Sequence, residues 1–439
     1  VKKKIQTYSF LWSRNTHRVA KFSVAVVSFF MIATMIFRSD DVQHLLIGQP
    51  DRRDVEIFNS SLRGYSNNRL HWVIKAKQIW SQGNKTVFKL SGLTDGQLYD
   101  DDGRIVIQHL MASNGETNIR SKVISLYSVS AELGFRPAVP LHGLLASEKP
   151  ARRVRVDADE MHYFGTSKRT FLQGNVAIYQ GKFKIVPKNG LQVDNATNTA
   201  FITEGFTIYY DRMVITGNTM TIHMDDEYSE VPDGIRGIRS AIPTGDPELD
   251  PRENRLRKLP TEWVADKARF SSKNGEDVMT LEGGVEIIQP DKTITTSQLE
   301  YDDGSDVLTL QGKVVIKNRN LLWALKPGKI IKNDDIRKTI AQPSIITGSK
   351  AIFEGGTKRG RIIGNVKIEQ DSQTIESQKM EYEDNPALLR FTGNVVFEKT
   401  NSDTLRCSEL TIDLDNEEML ARRSISTEFK LKKKPNASN

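Results

Sequence analysis

The chain has 439 residues, of which 38% are apolar and 27% charged, with a formal charge of +7 and one cysteine. That length leaves room for two or three domains, and the apolar content excludes a wholly disordered chain. Beyond residue 21 the remaining 418 residues carry 56 bases against 55 acids, a balance that excludes a nucleic-acid protein, which needs a basic face against phosphate.

Residues 1–18 form a basic lead. With Lys21 it supplies Lys2, Lys3, Lys4, Arg14 and Arg18 and no acid. Residues 22–37 hold no charge. As a helix that run spans about 24 Å, short of a hydrocarbon core of roughly 30 Å. Val19 and Ala20 extend it when Lys21 snorkels to the interface. The basic flank predicts a retained single-pass membrane anchor over 19–37, with the N-terminus in the cytoplasm and the bulk of the chain exported. A cleaved signal peptide is the competing reading, but IFRSDDVQ lacks the small residues of a cleavage site. Residues 38–54 read as a tether.

A first β-rich block covers 55–230. Leu70, Trp72, Ile74 and Ala76 alternate with polar residues, the period of a half-buried strand. Asp101-Asp102-Gly103 between two such runs predicts a hairpin, and Ile105, Ile107 and His109 continue the alternation beyond it. His109 reads as a packed or exposed strand residue before a ligand. Residues 131–152 lose the alternation and contain Pro137, Pro140 and Pro150, which predicts a crossing loop or a short helix. Residues 231–260 are rich in proline, glycine and charge and read as a linker or long loop. A second β-rich block covers 261–430, and 431–439 form a basic tail. Cys407 in that block allows no disulfide and no thiolate zinc site, and reads as a small half-buried strand residue.

Internal repetition decides the fold reading. Gly364-Asn365-Val366 and Gly393-Asn394-Val395 recur as Gly174-Asn175-Val176, Gly283-Gly284-Val285 and Gly312-Lys313-Val314. At an offset of 81, Val285 matches Val366, Ile294 matches Ile375, Leu299 matches Met380 and Tyr301 matches Tyr382. A nine-residue step separates Val176 from Ile185, Val285 from Ile294 and Val366 from Ile375, which predicts two short strands joined by a hairpin. The Gly-Asn-Val phrase is expected to be the turn that opens each strand pair. A unit of this kind buries one face and must stack on neighbours or on a second sheet. The residues sharing that face are Val176, Ile178, Ile185, Val285, Ile287, Ile294, Val314, Ile316, Val366, Ile368, Ile375, Val395 and Phe397. They are the candidates to line an apolar trough suited to acyl chains.

Motifs of catalysis are missing: there is no phosphate loop, no dinucleotide fingerprint, no zinc-protease helix and no nucleophile elbow. Asp100-Asp101-Asp102 and Asp225-Asp226-Glu227 read as turn and surface acids before a calcium or glycosidase site. Trp72, Trp80, Trp263 and Trp323 line a groove or, more simply, plug the ends of a sandwich. Lys430 to Lys434 read as a solubilising tail before a contact with lipid phosphates. No cofactor, metal or catalytic residue is expected.

The phrases ADEMHYF with FLQGNVAIYQ, ADKARFS with TLEGGVEIIQ, and GSKAIFE with RIIGNVKIEQ resemble the OstA-like β-jellyroll family of lipopolysaccharide transport. The anchor, LHWVIKAKQIW and LYDDDGRIVI add an LptC-like layout ahead of LptA-like repeats. The resemblance implies an all-β fold, a transmembrane helix followed by β-jellyroll modules in tandem at 55–230 and 261–430. It implies a membrane-anchored protein that takes lipopolysaccharide from an inner-membrane ABC transporter and passes it along a jellyroll bridge to the outer membrane. Lipid A acyl chains would ride in the trough, and other bridge components would bind by edge-strand addition. A structural β-repeat scaffold without lipid, and a β-helical carbohydrate-active enzyme, are the alternatives.

Overall fold

Alternating apolar and polar residues carry the chain from strand to strand throughout the computed structural model. It describes residues 53, 55–66, 68–81, 86–99, 103, 105–133, 154–224, 226, 228–242, 258–273, 276–321, 331–384, 386–399 and 403–428. The expected anchor at 19–37, nearly all of the tether, most of the loop at 131–152, Trp323 and the basic tail lie outside these residues. Among the described residues no helix is long and apolar enough to cross a membrane.

The described fold is all-β. It opens with β1 (Val55–Ser66), β2 (Arg69–Ser81), β3 (Val87–Tyr99), β4 (Ile105–Asn118), β5 (Val123–Leu133) and β6 (Val154–Phe164), each paired with the next. Shorter strands follow: β7 (Arg169–Gln173), β8 (Ala177–Gln180), β9 (Phe183–Pro187), β10 (Leu191–Asp194), β11 (Thr199–Ile202) and β12 (Phe206–Tyr210). Then come β13 (Met213–Gly217), β14 (Met220–His223), β15 (Tyr228–Val231), β16 (Ile235–Arg239), β17 (Thr261–Ala265) and β18 (Lys267–Lys273). Long strands return as β19 (Glu276–Gln289), β20 (Lys292–Asp302), β21 (Val307–Asn318), β22 (Ser344–Glu354) and β23 (Arg359–Gln370). The chain closes with β24 (Gln373–Glu383), β25 (Leu388–Lys399), β26 (Thr404–Asp413), β27 (Glu418–Arg422) and β28 (Ser426–Glu428). One short helix, α1 (Asp334–Ala341), lies between β21 and β22.

After β6 the ladder divides. Residues 160–164 of β6 pair with β7 and residues 154–157 with β8. One arm then runs β7–β10–β11–β14–β15–β18, the other β8–β9–β12–β13–β16–β17. Both arms rejoin on β19, which pairs with β18 through 276–282 and with β17 through 286–288. The arms face each other. The Phe183 ring on β9 lies 6.4 Å from the Phe270 ring on β18. A Cβ on Gly217 of β13 would come within 3.3 Å of Val231 on β15. Two layers therefore pack face to face, and β6 and β19 belong to both.

That dual membership corrects the reading of Gly-Asn-Val. The phrase lies inside a strand, at the bend where it leaves one layer for the other. Along β23 and β24, Ile363 opposes Lys379 while Val366 opposes Ser377, so the register slips by one residue across Gly364-Asn365. Such a bulge needs left-handed backbone, and φ is +84° at Gly364 and +48° at Asn365. The short strands expected on either side of the phrase are, in β19, β21, β23 and β25, halves of strands twelve to fourteen residues long for the same reason. The hairpins implied by the nine-residue step are present, with Ile178 opposite Ile185, Ile287 opposite Ile294 and Ile368 opposite Ile375.

The linker expected at 231–260 is also corrected in part. Val231 ends β15, which pairs with β18, and Ile235–Arg239 forms β16, which pairs with β13 and β17. Both layers thus cross this region, while 243–257 lie outside the described residues. Gly237 sits opposite Trp263, whose indole would be 2.1 Å from a Cβ there. Trp72 covers Gly64 in the same way, so both tryptophans are packing residues. Residues 56–80 and 86–439 fall in one compact unit; a second takes 1–55 and 81–85, of which only 53, 55 and 81 are described. His109 departs from the expected alternation: it is exposed, at φ +49°, where β4 slips register against β5.

Candidate functional site

Cross-strand neighbours on one face of a sheet touch, and here the inward neighbours form two rows. In one layer Ile178, Ile185, Ile208 and Ile215 oppose one another in turn. The row continues through Gly237, Trp263, Ile287 and Ile294. It ends through Ile316, Ile346, Ile368, Ile375, Phe397 and Leu405. At about 4.8 Å per strand, the path from Ile178 to Leu405 covers roughly 60 Å. In the other layer Ala268, Leu281, Leu299, Leu310, Ala351 and Ile362 run in register, then Met380, Phe391 and Leu410.

The thirteen trough candidates are buried or half-buried inside these layers. Ile178, Ile185, Ile287, Ile294, Ile316, Ile368, Ile375 and Phe397 belong to the first row. Val285, Val314, Val366 and Val395 follow the bends and oppose small residues, namely Thr296, Gly348, Ser377 and Cys407. Val176 follows the bend at Gly174-Asn175 and is buried. Ile287 and Ile294 are half-buried against the core and the other eleven are buried in it. Cys407 is buried, as its strand reading requires, and burial pushes its thiol pKa up.

Among the described residues the interior opens at a place that no local motif marked. A small cleft lies between the divided arms, with about 60 Å³ open to the centre of a water-sized sphere. Ile185, Ile208 and Ile215 from one arm, Met220 from the other, and Val278 of β19 make its buried floor. Phe183, Tyr210, Met213, Phe270, Met279 and Tyr301 stand half-buried above it. Phe183 stacks on Tyr210, with ring centroids 4.4 Å apart. The mouth is acidic. Asp277 and Asp303 line it, and their strand ends are tied by the Asp303 N–H donating to the Asp277 carbonyl at 3.0 Å. Tyr301 Oη donates to Asp303 at 3.5 Å and to Asp306 at 3.3 Å. Lys182 Nζ reaches Asp303 across the mouth at 3.4 Å. The signal available in sequence was Tyr301-x-Asp303, which recurs as Tyr382-x-Asp384 with the Tyr382 hydroxyl 2.9 Å from Asp384.

The two mouth phenols hold their protons unusually well. Burial first, then Asp303, Asp277 and Asp211, push Tyr210 up to about 12 from 10.0. Burial first, then Asp306 and Asp303, raise Tyr301 as well. A phenol whose pKa is higher folded than unfolded contributes stability below pH 10 that is lost as pH rises through 12. Ultraviolet titration should therefore show a tyrosinate step displaced to high pH that moves down in Asp303→Asn. An unmoved step in that variant would disprove the role of Asp303.

Of the acidic runs noted in sequence, Asp226 is exposed, and Asp100, Asp101, Asp102, Asp225 and Glu227 lie outside the described residues. Among the described residues no group of three His, Cys, Asp or Glu side chains could hold a metal ion. No family model matches the chain, and no curated protein matches it. One matching solved structure is LptH, "the LptA homologous periplasmic component of the conserved lipopolysaccharide transport device from Pseudomonas aeruginosa". It is 14% identical, with a TM-score of 0.22, over 39% of this chain and 96% of that one. A likeness of that size does not establish a fold or a function.

Proposed function

We propose that this chain is a lipopolysaccharide-binding bridge protein built from β-jellyroll modules of the LptC-like and LptA/OstA-like kind. Residues 19–37 anchor it in the inner membrane, and the modules at 55–230 and 261–430 join in one continuous two-layered structure in the periplasm. It takes lipopolysaccharide from an inner-membrane ABC transporter and hands it toward the outer membrane without catalysing a reaction. The observation that carries the reading is the apolar row from Ile178 to Leu405, enclosed between two layers and continuous across thirteen strand pairings of one ladder. Burying a methylene gains about 0.8 kcal/mol, so an enclosed apolar path suits acyl chains crossing an aqueous compartment.

The ends of the sheet support a bridging role. Among the described residues β1 pairs only with β2, and β27 and β28 pair only with β26. Ile57, Phe58 and Tyr65 on β1 are exposed, as are Met419, Leu420 and Ile425 at the other end. Unpaired edges with apolar side chains suit strand addition by other bridge components.

Photo-crosslinking side chains at Val285 and Ile368 should capture lipopolysaccharide, while those at Lys367 and Glu369 should not. Lys367 and Glu369 are ion-paired at 2.6 Å on the outer face. Equal capture from both faces, or none from the interior in a protein with unchanged circular dichroism, would sink the reading. A carbohydrate-active enzyme is the second reading, favoured by the two carboxylates of Asp277 and Asp303 in one cleft. Glycan hydrolysis abolished by Asp303→Asn would establish that reading instead.

A further inference from the structure

We propose that α1 and its flanks form a displaceable plug between the two layers, one that an incoming aliphatic chain must lift; this rests on the lipid-binding function and adds a control point to it. One end of the plug sits on the layer of Ile368 and Ile375. The Ile340 carbonyl accepts the Leu321 N–H at 2.8 Å, just past the end of β21. At the turn from β23 to β24, Gln370 Nε2 donates to the Thr339 carbonyl at 3.0 Å and Ser372 Oγ to Gln342 Oε1 at 3.1 Å. The other end sits on the layer of Phe391 and Leu410. Glu417, in the turn from β26 to β27, accepts the N–H groups of Lys332 and Asn333 at 2.9 and 2.8 Å, one on each carboxylate oxygen. The eight residues of α1 span about 12 Å as a helix. Packed sheets lie about 10 Å apart, so α1 has the length to cross from one layer to the other.

The plug is apolar where it enters. Ile331 and Ile340 are buried in the same core as the apolar rows, while Lys332, Asn333, Arg337 and Lys338 are exposed. Two isoleucine side chains between the layers fill space as a branched hydrocarbon does, so plug and acyl chain compete for one place. A helix of two turns is marginal by itself, and α1 therefore keeps its position through its two seats. The seats differ in kind. Neutral bonds hold residues 339–342, close to where β22 begins, and make the hinge. A carboxylate on two backbone N–H groups is a charge-assisted contact, and it holds residues 332 and 333 across a separation of 84 or 85 residues. That contact is the latch. The turn carrying Glu417 is braced: Asp413 accepts the N–H groups of Asp415 and Asn416, and Asp415 accepts that of Ala387 at 3.2 Å. Release at Glu417 thus frees the plug and leaves its seat in place.

The test is fluorescence titration of the whole protein with Nile red, an uncharged apolar dye, beside hydrogen exchange without ligand. Affinity for a ligand that needs the plug lifted scales with the lifted fraction. Glu417→Ala should raise that fraction, and dye affinity with it, about tenfold. Ile331→Ser should act in the same direction, and Glu418→Ala, at an exposed neighbour, should change nothing. Lys332→Cys/Asn416→Cys, at two exposed positions, joined by a short bis-maleimide, should hold the plug down and weaken dye binding below the parent. Cys407 is buried and does not compete for the reagent. Exchange at amides 332–341 should quicken in Glu417→Ala while β22–β25 keep their protection. Equal dye binding in the parent, Glu417→Ala and the cross-linked protein would overturn the proposal, as would unchanged exchange at 332–341. The dye reads the plug whatever the natural ligand. Failure of lipopolysaccharide capture at Ile368 with the dye response intact would therefore defeat the transport reading alone.

Discussion

Phe391→Ala is expected to lower the unfolding free energy by about 3–5 kcal/mol, the cost of removing a fully buried aromatic ring and leaving a cavity. Phe391 is 0% exposed and stands between Met380 on β24 and Leu410 on β26, both buried. No flexible surface side chain can fall into the space. Ile363, 37% exposed on the outer face of β23, is the control, and Ile363→Ala should change stability by no more than about 0.5 kcal/mol. In a ladder where each strand touches its neighbours, the damage should stay near β24–β26. The displaced phenol titration of Tyr210, far along the chain, should be the same in Phe391→Ala as in the parent. Denaturation curves decide the matter. A loss below about 1 kcal/mol would mean that the layers are not closed over Phe391.

Much of this fold was legible because a strand announces itself locally. Alternation placed Ile178, Val285 and Ile368 on one face, and the nine-residue step implied a hairpin where Ile287 pairs with Ile294. What escaped depends on residues distant in sequence. A Gly-Asn pair satisfies the left-handed backbone of a hairpin turn and of a mid-strand bulge equally well. The two differ only in whether ladders continue on either side, as they do around Gly364-Asn365. The role of Gly237 is hidden in sequence for the same reason: the demand for a missing side chain comes from Trp263, 26 residues later. The cleft is assembled from strands between residues 180 and 303, and none of its residues has a distinctive local setting. Only the recurrence of Tyr301-x-Asp303 as Tyr382-x-Asp384 hinted at a role for its mouth.

Gly364→Val carries the second large effect, because the bend it occupies transfers β23 between layers. Ile362, before the bend, belongs to the row of Ala351 and Met380; Ile368, after it, belongs to the row of Ile346 and Ile375. Valine at φ +84° is forced into backbone that costs about 1–3 kcal/mol. Its Cβ would also lie 2.7 Å from Ser349 Oγ and 2.9 Å from Ser349 Cβ. Ser349 cannot simply swing away without loss, since its hydroxyl donates to the Gly364 carbonyl at 3.3 Å. Crowding of that kind adds about 1–3 kcal/mol. Asn365 sits at φ +48°, a region asparagine tolerates. Asn365→Gly should therefore be nearly neutral, while Asn365→Val should cost about 1–2 kcal/mol. The expected order of damage is Gly364→Val, then Asn365→Val, then Asn365→Gly. A relaxed bend would also free Val366 and Ile368 from the interior row. Lipid capture by a crosslinker at Ile375 should then fall in Gly364→Val, while capture at Ile178, on the far side of the divided arms, should persist. Were Gly364→Val as stable as the parent, the phrase would not be a bend between layers.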